Sequence, residues 1–311
     1  MSIIGHENII SSFVRAIENN RLSHAHILFG EDGIGKSPIA THIAMKLLNK
    51  EGHKESVDIV HWRVEKNKLS IGVGAIRELI EEVNKKPFEG DKKIIIIHDG
   101  HKMTTQAQNA LLKTIEEPPR GVFILILSEN LEAILDTIKS RCQVHKLNPL
   151  RENEVREFIK LKYPALDENQ AKMLIAFSDG IPGKIELLLN NEEFNEIRNF
   201  VIEILLNINN ISTEELLKYE EGFNKFSSSW RDVINIFITI IRDTIIYKEV
   251  GNKDILINLD KLESIKEFAG MFSLGKLNDI ISIIDEAREA LERNVNLSLT
   301  FTVMLLKIQE V

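Results

Sequence analysis

The 311-residue chain carries 39 basic and 47 acidic residues for a net charge of −8, and it has one cysteine, Cys142. That length predicts two or three domains, and a lone cysteine excludes an internal disulfide or a multi-cysteine zinc site and fits a reducing compartment. Basic and acidic residues balance through Asn148, 20 against 19, and diverge after it, 19 against 28, so the chain lacks the strongly basic footprint of autonomous DNA binding.

The amino end, "MSIIGHENII", has no basic segment followed by an apolar one, and no apolar run approaches the ~20 residues of a membrane span. The expectation is a soluble cytoplasmic chain with no membrane partner. "AHILFG" then reads as a strand, and "GEDGIGKS", Gly30 to Ser37, matches G-x-x-x-x-G-K-[ST]. Gly30, Gly33 and Gly35 let backbone N–H groups turn toward phosphates, Lys36 reaches the outer phosphates, and the Ser37 hydroxyl can ligate magnesium. Pro38 lacks the N–H that such loops commonly offer to the inner phosphate, although proline is welcome in a first helical turn. ATP with magnesium is therefore expected to bind weakly.

The chain continues with helical spacing in "PIATHIAMKLLNK", a strand in "DIVHWRV", and a helix in "GAIRELIEEVNKK". "KKIIIIH" reads as a strand buried on both faces. In nucleotide-hydrolysing folds such a strand ends in a carboxylate pair, but this one ends in His98 and Asp99, followed by Gly100 and His101. A neutral imidazole suits magnesium poorly, and Asp99 is one carbon shorter than glutamate, so the acidic site reads as degenerate. A His98–His101 metal site is weighed and set aside, since the only further local ligand is Asp99 and there is no cysteine; no zinc is expected.

"TTQAQNALLKTIEE" reads as a helix and "GVFILIL" as a strand. Alternating strands and helices over residues 1–148 predict an α/β domain with a parallel sheet. After "LNPL" strand signals stop: three short helices make a small lid over 149–193, and long amphipathic segments make an all-helical domain over 194–311.

"SHAHILFGEDGIGKS", "IGVGAIRELIEEV", "HKMTTQAQNALLKTIEEPP" and "TIKSRCQ", in this order and spacing, resemble the clamp-loader subunits of bacterial DNA polymerase III, within the AAA+ superfamily. The resemblance runs to the end, where "NVNLSLTFTVMLLKIQ" matches the family's helical collar. It implies an arginine finger at Arg141, framed by Ser140 and Cys142, that would touch a neighbour's ATP. It also implies that Ser128 stands at the position that senses the outer phosphate, and Lys184 where a motor subunit reaches the nucleotide from its lid. The implied partners are motor (gamma or tau) and delta subunits in a hetero-pentamer, with the sliding clamp and primed DNA reached through the complex. The motor's four-cysteine zinc module is missing from "KEGHKESVDIVHWRV". Two readings follow: a non-motor subunit that serves a neighbour's ATP through Arg141, or an autonomous ATPase in which Asp99 suffices.

Overall fold

The computed structural model describes residues 3–50, 56–64, 68–190, 192–210, 212, 215 and 218–311. Five parallel strands form one sheet in the order β2-β3-β4-β1-β5: β1 Ala25–Phe29, β2 Ile59–Trp62, β3 Lys93–Ile97, β4 Val122–Ser128 and β5 Gln143–Lys146. Every residue of β3 is buried. Its isoleucines serve two cores alternately, as the two-residue period of a strand requires. Ile95 and Ile97 pack beneath α3 (Val73–Asn84) and α4 (Thr105–Glu116), whereas Ile94 and Ile96 pack with α1 (Glu7–Glu18) and α2 (Lys36–Leu47). Each fully buried isoleucine contributes about 1.5–3 kcal/mol relative to leaving it exposed.

Lys93 breaks the apolar run and is nevertheless buried, with Nζ donating to the Glu82 carbonyl at 2.7 Å and to Glu82 Oε1 at 2.6 Å. The start of β3 is thereby tied to the last turn of α3. Two elements carry weak or unread sequence signals. In α1, apolar Ile9, Ile10, Phe13 and Ile17 face the α2 side of the sheet, while β5 has mostly exposed side chains and is held by its main-chain ladder to β1.

Because the strands are parallel, the loops following β1, β3 and β4 emerge at one edge of the sheet, where ligands of open α/β folds bind. The β1–β4 register puts Phe29 beside Ser128, and the Gly30 N–H donates to the Ser128 carbonyl at 3.1 Å.

Contacts divide the chain into two compact units. The first holds the residues up to Pro164 together with Ser178–Lys184; the second holds Ala165–Phe177 and Ile185 onward. Within the first, α6 (Glu152–Lys162) follows the sheet, and the Leu150 N–H donates to the Gly180 carbonyl at 2.8 Å.

The second unit is entirely helical among its described residues. It includes α7 (Glu168–Phe177), most of α8 (Pro182–Asn190), α9 (Glu192–Asn207), α10 (Tyr219–Lys225), α11 (Trp230–Val250), α12 (Leu262–Met271), α13 (Leu274–Glu292) and α14 (Leu297–Glu310). Its apolar faces close on one core containing Val201, Ile240, Phe268, Ile284 and Phe301. Beside that core Arg198 is buried, forking onto Asp260 at 2.7 and 2.8 Å and onto Asn258 Oδ1 at 3.1 Å. Buried Asp243 accepts from the Ile257 and Asn258 N–H groups, so fork and main-chain geometry meet most of the polar demand here, while the Arg198 Nε–H is buried without a partner. Among the described residues no helix is long and apolar enough to cross a membrane.

Candidate functional site

The glycine-rich loop joins β1 to α2. Gly33 and Gly35 have φ of 77° and 108°, a backbone that admits glycine readily and other residues with strain. Pro38 lies in the first turn of α2, where backbone N–H groups have no intrahelical partner, so it costs the helix nothing. Lys36 Nζ donates to the Gly30 and Glu31 carbonyls, at 2.7 Å each, folding the ammonium back onto its own loop. Burial lowers its pKa, and the carboxylates of Glu129, Asp32, Asp99 and Glu31 oppose that shift. Lys36 and the acids that follow β3 and β4 therefore share one electrostatic site.

Residues 178–184 close against this loop. The Gly183 N–H donates to the Gly33 carbonyl at 3.0 Å, and a Cβ on Gly183 would stand 2.5 Å from Gly33 Cα. Lys184 arrives with that segment, but its ammonium pairs with Asp179 at 2.8 Å. Ser128 is fully buried at the end of β4, and its hydroxyl donates to the Asn130 carbonyl at 2.8 Å. The Ser128 hydroxyl proton is thus spent on a local turn.

At the end of β3, His98 does not combine with His101. Its Nε2 lies 3.0 Å from His61 Nδ1 on β2, and the two rings stack. Burial, with Arg63 and His61 adding to it, pushes the His98 pKa down to about 4, so the imidazole is neutral at physiological pH. His98 is thus a packing and hydrogen-bonding residue of the β2–β3 pair.

Asp99 adopts a left-handed φ of 51° that turns the chain into a short 3-10 segment. It lies with His101 and Glu129, their ligand atoms all within 4.8 Å of one another. Glu129, which the sequence reading passed over, brings a second carboxylate from the neighbouring strand. The signal for it was its place directly after Ser128, beside the strand that carries Asp99. The two carboxylates are hard oxygen donors of the kind magnesium takes, whereas the His101 imidazole is a poor ligand for it. The stretch from Lys50 to Val64, read as lacking a zinc module, falls partly outside the described residues, at 51–55.

Gln108 on α4 links the acid loop to the rest of the sheet edge. Its amide donates to the Met103 carbonyl at 3.1 Å and the Ala133 carbonyl at 2.9 Å, and accepts from the Leu135 N–H at 2.8 Å. Leu135 precedes the short helix α5, Asp136–Lys139, which delivers Ser140, Arg141 and Cys142. Arg141 is about two-fifths exposed, with Nε bonded to Glu116 and Nη1 donating to the Thr137 carbonyl at 2.8 Å and to Ser140 Oγ at 3.2 Å. Burial raises the Cys142 thiol to about 12, which leaves it an unreactive packing residue.

A family model described as DNA polymerase III, delta subunit matches residues 5–151, and one described as DNA polymerase III, delta subunit, C terminal matches residues 192–310. The chain is 28% identical to DNA polymerase III subunit delta' of Bacillus subtilis, over 97% of this chain and 95% of that one. It is 24% identical to the delta' subunit of Escherichia coli, over 97% and 92%. Its 31% identity to DNA polymerase III subunit gamma of Buchnera aphidicola spans 57% of this chain and 54% of the relative.

Proposed function

The chain belongs to the DNA polymerase III delta subunit family, and on that premise we propose that it is the non-motor, delta'-type subunit of a cytoplasmic clamp loader. In this reading it assembles with motor (gamma or tau) and delta subunits into a hetero-pentamer and helps place the sliding clamp on primed DNA. The three-domain division, with a lid between the sheet domain and a collar, is part of the same proposal.

One observation carries the reading. Arg141 stands on the surface with part of its guanidinium unused, in a chain whose β3 strand ends in a neutral histidine where a hydrolytic site needs a carboxylate. A guanidinium is always charged and forks onto phosphate oxygens, and as a finger it stabilises the charge that develops on a transferred phosphoryl group. That contribution is useful only at a neighbour's nucleotide.

The chain's own loop retains the donors for Mg-ATP: Lys36 and the loop N–H groups for the phosphates, Ser37, Asp99 and Glu129 for the ion. Bound magnesium would neutralise charge on the outer phosphates. Two features weaken that site. Lys36 has to leave two carbonyls to reach a phosphate, and Pro38 offers no N–H. Nucleotide here serves as a structural ligand, and turnover belongs to the motor subunits.

The test is reconstitution with the motor and delta subunits. Arg141→Ala is expected to assemble normally, with the same melting temperature as the parent chain, and to lower the complex's ATP turnover by at least about tenfold. Unchanged turnover in an intact complex would remove the finger.

A further inference from the structure

Arg141 is held by two elements of its own chain. Glu116, the last residue of α4, takes Nε, while the Thr137 carbonyl and Ser140 Oγ at the end of α5 both take Nη1. Among the described residues Nη2 has no hydrogen-bond partner. The guanidinium is planar and its five N–H vectors are fixed relative to one another. Holding the plane at two separate points, Nε and Nη1, therefore fixes the direction of Nη2, the nitrogen still available to a phosphate.

We infer that Glu116 is a positioning residue for Arg141: it holds the guanidinium by Nε so that Nη2 is presented, already oriented, to the neighbouring subunit's nucleotide. The inference rests on the finger reading of Arg141 and deepens it. An arginine free in solvent loses about 2 kcal/mol of rotamer freedom when it is fixed, and a side chain held beforehand does not lose it again at the reacting phosphate. Preorganised charge of this kind acts mainly on the chemical step rather than on nucleotide affinity.

The competing interpretation is an ordinary surface ion pair. Both partners are about two-fifths exposed, and exposed pairs commonly contribute nothing measurable. Three acceptors from two separate elements, holding the guanidinium at both Nε and Nη1, argue against it, because a casual ion pair has no reason to recruit a main-chain carbonyl and a serine as well. A third interpretation makes Glu116 a brake that neutralises the finger until the complex closes.

Four variants separate these possibilities in the reconstituted complex: Glu116→Ala, Glu116→Gln, Arg141→Ala and the double Glu116→Ala/Arg141→Ala. Glu116→Ala is expected to lower kcat about 5- to 20-fold with KM for ATP changed less than twofold. Glu116→Gln keeps an acceptor oxygen and is expected to recover to within about threefold of the parent. The double variant is expected to match Arg141→Ala alone, since removing the support matters only while the finger is there.

If Arg141→Ala lowers turnover and Glu116→Ala does not, Glu116 is a surface ion pair and the inference fails while the finger stands. A rise in turnover with Glu116→Ala makes it a brake and overturns the positioning role. Losses that add in the double variant place Glu116's effect elsewhere. If Arg141→Ala itself leaves turnover unchanged, the finger falls and the inference falls with it.

Discussion

Two histidine pairs bracket the sheet, and in each one ring is pushed by burial toward the neutral state. His26 on β1 is fully buried, with Nδ1 3.1 Å from His145 Nε2 on β5 and with Phe13 packed on both rings; burial pushes its pKa down to about 4. His98 is lowered to the same value beside His61. The unfolded chain protonates these residues below their ordinary value near 6.5, whereas the folded chain resists down to about 4. Stability is therefore complete above pH 6.5 and is lost as pH falls from 6.5 toward 4, on the order of 3 kcal/mol for fully buried His26. Urea unfolding at pH 7.5 and pH 5 is expected to show a lower midpoint at pH 5. His26→Phe is expected to lose part of that difference, and equal midpoints in the parent protein would contradict the burial account. None of this was legible in the sequence. His98 and His101 suggest a pair because they are three residues apart, yet the strand sends His98 to a partner 37 residues earlier.

Elements were legible where burial and period agreed. "KKIIIIH" gives β3 because a strand buried on both faces is apolar throughout, and "GEDGIGKS" gives a loop between a strand and a helix because its glycines serve backbone turns. By contrast, β5 has no apolar alternation to betray it and depends on its partner strand. The contact between the phosphate loop and residues 178–184 was equally invisible, since a glycine's reason lies in what approaches it. Gly183→Ala puts a Cβ 2.5 Å from Gly33 Cα, and overpacking against backbone costs typically about 1–3 kcal/mol. The expected outcome is a lower melting temperature, read by calorimetry, together with faster amide exchange in residues 30–37; an unchanged profile would show that the segments do not bear on each other. Gln108→Ala removes three hydrogen bonds and strands the Leu135 N–H. It is expected to cost about 2–3 kcal/mol, measured as a shift in the urea midpoint.

For the whole molecule, a near-neutral first half followed by an acidic second half predicts a poor DNA-binding protein when alone. The isolated chain is expected to show only weak, salt-sensitive binding to duplex DNA, checked by fluorescence anisotropy at two salt concentrations. The motifs read as a degenerate acidic site, at His98 and Asp99, and as an arginine finger, at Arg141, are each carried by a short local stretch of sequence. Sequence did not find Glu116 or Glu129, which reach the site from other elements and have meaning only through the fold.

The most direct measurement is phosphate release by the purified chain alone, titrated with Mg-ATP while binding is followed by calorimetry. With His98 neutral at the end of β3 and Lys36 folded onto its loop, weak binding and no steady release above the level of Lys36→Ala are expected. Steady turnover that Lys36→Ala abolishes and Arg141→Ala leaves intact would make this chain a motor in its own right and would contradict its role as the supplier of a neighbour's finger.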